Sequence, residues 1–92
     1  MYQLVFTGKI KKQLKKMARS GRYDIKQFHG VVDMLQAGRK LSAKYHDHAL
    51  HGQLQDYREC HVAPDWLLVY RIVDDLLIIE LLQTGSHAEL FG

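Results

Sequence analysis

Only one cysteine, Cys60, occurs in the 92 residues, so no internal disulfide can form and a reducing compartment is expected. Long apolar runs are missing too. The longest, "WLLVY" and "LLII", fall far short of the roughly 20 residues that cross a bilayer. The opening "MYQLVFTGKIKK" lacks the charge, apolar stretch and cleavage site of a secretory signal. Together these absences lead to the expectation of a soluble cytoplasmic protein with no membrane partner. Repeats and low-complexity segments are absent as well. A chain of this size makes one domain, residues 1–92, burying only roughly 60–65% of its unfolded surface. That leaves no room for a separate cofactor-binding unit, and no cofactor is expected.

Acidic residues are scarce in one half of the chain. In residues 1–46, eight lysines and three arginines face only Asp24 and Asp33; in residues 47–92, Arg58 and Arg71 oppose eight acids. A basic half of this strength suits a polyanion, because each cation near a phosphate releases condensed counterions. A lysine-rich solvated helix is the plainer alternative.

What is present divides by period. "YQLVF" (2–6) alternates and is rich in β-formers, so it reads as a strand. Thr7 can cap a helix over 8–20 in which Ile10, Leu14 and Met17 form the buried stripe. On another face Lys9, Lys12, Lys16 and Arg19 form a cationic ridge, and Gly21 ends the helix. Asp24 caps a second helix with Ile25, Phe28, Val32 and Leu35 at helical spacing, closed by Gly38. So short a turn between them predicts a helical hairpin. After a polar stretch the period becomes two. Strands are expected at 53–60, 66–73 and 76–82, with Pro64 interrupting the first pair and Asp74-Asp75 making a tight hairpin. "SHAE" (86–89) has the form of a capping box opening a terminal helical turn. The fold class is α+β: a small twisted antiparallel sheet packed on an N-terminal helical hairpin, in the order β-α-α-β-β-β with a C-terminal turn.

The chemistry concentrates in "HALHGQLQDYRECHVAPDWLLVY" (48–70), which holds three of six histidines. A zinc site is disfavoured. There is no C-x-x-C, and the adjacent Cys60 and His61 point to opposite faces of a strand. Acid–base chemistry fits better, since antiparallel neighbours can bring His48, His61, Asp65 and His87 to one sheet edge. Imidazole serves as acid or base near neutral pH. Metal-independent RNA cleavage needs a base for the 2′-hydroxyl, cations for the phosphorane and an acid for the leaving oxygen. Each histidine alone is more often a surface polar group than a catalyst.

Three segments taken in order carry a resemblance: "DHALHG" (47–52), "YRECHVAPDWLLVY" (57–70) and "TGSHAELFG" (84–92). They resemble the YafQ-type toxins of the RelE/ParE superfamily across nearly the whole C-terminal half. The resemblance implies a ribosome-dependent, metal-independent endoribonuclease, an mRNA interferase. Its implied partners are a cognate antitoxin, the ribosomal A site and mRNA, with operator DNA bound only through the toxin–antitoxin complex. Carried over by position, its catalytic set falls on His48, His61, Asp65, His87 and Phe91. Phe91 would stack on a nucleobase; otherwise it is a hydrophobic plug.

Within that set, His87 opens a helical turn. The positive end of the dipole disfavours an imidazolium there while the amides favour phosphate, so His87 is assigned as general acid. Asp65 or His48 is then the base, and His61 and Arg58 contact phosphate, with Lys9, Lys12, Lys16 and Lys44 binding substrate. One departure stands out: Gln83 occupies a position where relatives often carry a basic residue. Two alternatives stay open. One is a gyrase-poisoning toxin on the same fold, which would lack the histidine set; the other is a non-catalytic nucleic-acid-binding module.

Overall fold

The computed structural model describes residues 1–92. Strand β1 (Gln3–Phe6) leads into Thr7, whose hydroxyl accepts the Ile10 amide at 3.1 Å and opens α1 (Gly8–Ser20). Gly21 ends α1 at φ 71°, a left-handed conformation that glycine adopts without penalty. Asp24 caps α2 (Ile25–Gln36) by accepting the Lys26 amide at 3.0 Å. Four strands follow: β2 (His48–Ala49), β3 (Arg58–Ala63), β4 (Trp66–Val73) and β5 (Ile78–Gly85). Helix α3 (His87–Phe91) closes the chain.

The sheet order is β1-β5-β4-β3-β2. Strands β2 to β5 form the expected antiparallel meander, but β1 pairs parallel with β5. The reason lies in the connection. After β1 the chain passes through α1 and α2 and re-enters at the opposite edge, and the meander then returns strand by strand to β1.

Two boundaries differ from the sequence expectation. Residues 53–57 are not strand, because Gly52–Leu54 makes a 3₁₀ turn and the Tyr57 amide bonds back to Leu54. At the other hairpin, Asp74–Leu76 is a 3₁₀ turn and Leu77 is left-handed at φ 52°. Leu76 and Leu77 are therefore exposed turn residues, although their hydrophobicity reads as strand.

One face of the sheet receives both helices. Ile10, Met17, Phe28, Val31, Val32 and Leu35 bury against Cys60, Trp66, Leu68, Tyr70, Ile79 and Leu81. Each large side chain buried this way contributes about 1.5–3 kcal/mol. Trp66 stacks with Phe28 at 6.3 Å and donates its indole N–H to Thr84 Oγ1 at 3.0 Å. The Thr84 amide donates to Gln13 of α1 at 2.8 Å, tying helix to sheet. The opposite face carries Leu67 and Val69, also buried.

A bulge in β5 adjusts which residues reach that second face. Val69 pairs with Gln83 while Tyr70 pairs with Leu81, leaving Leu82 as the extra residue. Gln83 is thereby turned away from the helices, whereas strict alternation would place it with Leu81 on the core side.

Candidate active site

Alternation along β3 sorts its residues into two environments. Arg58 and Cys60 pair with Tyr70 and Leu68 on the helix side; Glu59 and His61 pair with Val69 and Leu67 on the open side. Extending those pairs across the sheet gives two transverse rows. One reads His48, Glu59, Val69, Gln83, and the next reads His61, Leu67, Gly85. His87 follows directly after the second row, at the start of α3. Strand pairing thus brings residues far apart in sequence onto one small surface.

Side-chain atoms of Glu59, His61 and His87 all lie within 4.8 Å of one another. The His61 ring sits between two others, 5.0 Å from His46 and 5.7 Å from His87. His48 Nε2 is 3.5 Å from the buried Glu59 carboxylate, while its Nδ1 is 2.7 Å from the His46 carbonyl. Asp65 holds the tight turn between β3 and β4 at φ 55°. From there its carboxylate accepts the His87 backbone N–H at 3.0 Å and meets His87 Nδ1 at 2.7 Å. This contact fixes the Nδ1–H tautomer of His87 and leaves Nε2 free for substrate. The capping box expected at 86–89 is formed: Ser86 Oγ accepts the Glu89 amide at 3.1 Å and Glu89 accepts the Ser86 amide at 2.8 Å. Phe91, four residues after His87 in α3, lies on the same helix face. It is 49% exposed, so it is not the plug that the alternative reading would require.

The environment tunes two of these groups. Partial burial, reinforced by the neighbouring His46, His87 and His48 and opposed by the Glu59 carboxylate, holds the His61 imidazole below its ordinary value of 6.5. His61 is therefore neutral at physiological pH. Asp65 is held below the usual carboxylate value by the hydrogen bonds from the His87 backbone and ring. On the helix side, burial pushes the Cys60 thiol up to about 12. Cys60 stays protonated and serves as a small packed residue rather than a nucleophile.

Arg58 does not belong to this surface. It sits on the helix side, its Nε and an Nη donating to Asp47 at 3.2 Å each, and Tyr70 donates its hydroxyl to the same carboxylate at 2.6 Å. The structure places Arg58 apart from the histidines it was expected to join, by the two-residue strand period: Arg58 and His61 are three apart and face opposite ways. Another cation reaches the open face instead. Lys9, from the first turn of α1, donates to the buried Gln83 Oε1 at 2.6 Å, at the end of the His48–Glu59 row. Lys12 and Lys16 are exposed along α1, and Lys44 is exposed in the 3₁₀ turn Ala43–Tyr45 beside His46. His29 and His51 are exposed and lie outside the cluster.

Three contributors escape a reading of the sequence. Glu59 carries a usable signal, since 59 and 61 share a strand face. Asp47 carries none, and His46 is marked only by its place two residues before His48, while its left-handed backbone (φ 49°) has no local signature. Ligand spacing along the chain is likewise blind to a metal site assembled by strand pairing. Glu59, His61 and His87 offer one carboxylate and two imidazoles that come together in this way.

This sheet, with an imidazole–carboxylate cluster on its open face, is found in a chain whose sequence family is that of small toxins of type II toxin–antitoxin systems. Residues 2–92 match the family described as "Bacterial toxin of type II toxin-antitoxin system, YafQ". The chain belongs to the YafQ family, and its enzymatic class is endoribonuclease. It is 38% identical over 88 residues to the mRNA interferase toxin YafQ of Escherichia coli K12, covering 95% of this chain and 92% of that one. The fold superposes on a metal-bound toxin from Helicobacter pylori with TM-score 0.91 and 42% identity, over 99% of this chain and 100% of the other. It superposes on the E. coli DinJ–YafQ complex with TM-score 0.87 and 31% identity, over the full length of both chains. No helix is long and apolar enough to cross a membrane.

Proposed function

We propose that this chain cleaves mRNA on the translating ribosome, without a metal ion, and is held inactive by a cognate antitoxin. The observation that carries the reading is the convergence of Glu59, His61 and His87 within 4.8 Å of one another, beside Asp65. His61, expected from the sequence as a phosphate contact, takes the role of base in this reading because Asp65 is engaged by His87 and His48 by Glu59. Neutral at physiological pH, it takes the proton from the 2′-hydroxyl as that oxygen attacks phosphorus. His87, starting as the imidazolium with its Nδ1–H held by Asp65, gives its Nε2 proton to the departing 5′-oxygen. The products are a 2′,3′-cyclic phosphate and a 5′-hydroxyl, and the two histidines end with exchanged protonation states. His48, held by the Glu59 carboxylate, flanks the phosphate. Lys9 and Lys44 neutralise charge at the two ends of the site, and Lys12 and Lys16 dock the surrounding RNA. Phe91 stacks on a base. Operator DNA is bound only by the toxin–antitoxin complex, where the antitoxin supplies the contacts.

The test maps mRNA 5′ ends after brief induction of the wild type and of His87→Ala. Cuts in register with codons that vanish in the variant support the reading. Full growth arrest by His87→Ala, His48→Ala and His61→Ala would reject it in favour of a gyrase-directed or purely binding mechanism.

The cluster also favours a second reading, supported by the similarity to the metal-bound toxin from H. pylori. Glu59, His61 and His87 fit a transition-metal ion that takes imidazole and carboxylate ligands, zinc or copper. Holding such an ion occupies the lone pairs that the proton transfers need, so it acts against cleavage. Calorimetric titration with zinc and with copper, wild type against His61→Ala, tests it. Equal binding by both proteins would dismiss this site.

A further inference from the structure

Beside the catalytic cluster lies a cleft of about 710 Å³ that shares His61 and Asp65 with it and is otherwise lined by residues the proton chemistry does not use. One wall is α2, presenting Gln27 and Gly30; the other is the 3₁₀ turn with Lys44, Tyr45 and His46. Val31 and Val62 are buried beneath it. His61 and Asp65 belong to its lining as well as to the catalytic cluster, so the cleft opens directly onto the place where phosphate reacts.

Its lining has the chemistry of a base-binding slot. The apolar floor and the His46 ring, 5.0 Å from His61, offer surfaces for a flat heterocycle. Lys44 lies 5.0 Å from the centre of the Tyr45 ring, which keeps a cation at the lip. Gln27 carries the one side-chain amide, a group that can donate and accept together along a base edge. Gly30 follows it by one helical turn. A side chain there would project into the cleft, and nothing lies within 4 Å of where its Cβ would be. An open, half-polar slot with a stacking ring and a cation is poorly suited to an apolar ligand and well suited to a nucleotide.

We propose that this cleft seats a nucleobase adjacent to the scissile phosphate, stacked on His46 and read along its edge by Gln27, so that it sets base preference next to the cut. This rests on the nuclease reading for the identity of the substrate, but base binding in the cleft is measurable on its own.

The experiment titrates the full chain with the four 2′-O-methyl homotrinucleotides, which lack the attacking hydroxyl, and follows backbone amides by NMR. Wild type is expected to show shifts at Gly30, Val31, Tyr45 and Val62, unequal among the four bases. Gly30→Trp, which fills the slot from an exposed helix position, should weaken binding roughly 10-fold, the loss of one stacked base. It should also erase those shifts while the His87 amide still responds. Gln27→Ala should keep binding within a few-fold yet level the four bases. In cells, the same two variants should redistribute cut sites at one position relative to the break, whereas His87→Ala removes cutting. Shifts confined to the catalytic histidines, or wild-type binding by a folded Gly30→Trp, would overturn the proposal. Failure to cut RNA with cleft shifts intact would remove the nuclease reading and leave the base slot standing.

Discussion

The two faces of β3 hold neighbouring residues under opposite rules. On the helix side, Cys60 and its partners Leu68 and Tyr70 are buried among apolar atoms, and their worth is packing. On the open side, Glu59 and His61 are placed over Leu67 and Val69, where the sheet serves as a rigid floor and the side chains as chemistry. A single substitution on either face should therefore damage one property and spare the other. His61→Ala is expected to lower the cleavage rate about 10²–10⁴-fold, the usual contribution of a positioned acid or base, with the thermal midpoint little changed. Trp66→Ala should cost about 3–5 kcal/mol of stability through the cavity it opens. Rate measurements on folded protein and melting curves on both variants check the contrast; a strongly destabilised His61→Ala would blur it.

pH sharpens the same comparison, because His61 is held below 6.5 in the folded chain. As a base it stays competent to lower pH than a free imidazole, so the acidic limb of kcat/KM should fall below 6.5. The stability effect has the same direction. Below 6.5 the unfolded chain takes up the proton first, so the contribution is present above that pH and lost as pH falls through the folded value. His61→Gln should remove this limb from the stability profile while Cys60→Ala leaves it in place.

Asp47 joins the two faces at the sheet edge. Its carboxylate is gripped on the helix side by Arg58 and Tyr70, and its chain neighbours His46 and His48 reach the open side. Asp47→Ala strands a half-buried guanidinium and a buried tyrosine hydroxyl, at a cost of about 1–3 kcal/mol, and frees the two imidazoles. Both stability and rate should fall. Arg58→Lys keeps the charge but loses the fork, so it should show a smaller loss of both. If Arg58→Lys abolished RNA binding at full stability, Arg58 would have to contact phosphate after all.

Most of the framework is legible in the sequence because it follows local rules. Thr7, Gly21 and Asp24 fix helix boundaries through capping and left-handed backbone, and the Ser86–Glu89 box fixes α3. His61, Asp65 and His87 come together, but at one end of the interior strands rather than at the sheet edge the sequence suggested. Pairing aligns the end of β3, the β3–β4 turn and the end of β5 there. The rest depends on non-local geometry. The bulge at Leu82 that turns Gln83 toward the site has no signature in the sequence, nor does the parallel pairing of β1. Leu76 and Leu77 mislead because hydrophobicity reports burial on average, and here a left-handed turn leaves both exposed. Arg58 misleads for a different reason: it is close to His61 along the chain, yet strand alternation sends the two side chains to opposite faces.

The Lys9–Gln83 pair is a smaller test of the open face. Moving the cation to the other partner, with Lys9→Gln and Gln83→Lys together, should retain RNA affinity, because the charge stays at the same point. Lys9→Ala should instead lower the salt dependence of RNA binding, flattening the log–log slope by about 0.7, since one phosphate is no longer neutralised. An unchanged slope would mean that Lys9 only packs against the sheet.

The smallest effect is expected at Gly30, where the faces of α2 rather than those of the sheet are compared. Phe28, Val31 and Val32 bury toward the core, while Gly30 is exposed in the middle of the helix with open space where a Cβ would stand. Glycine there loses more backbone freedom on folding than alanine would. Gly30→Ala should therefore stabilise the chain by about 0.5–1 kcal/mol, raising the melting temperature with cleavage rate and cut-site distribution unchanged, since a methyl group occupies little of the cleft. A stability gain accompanied by altered cut sites would mean that RNA approaches α2 closely enough to feel one carbon atom.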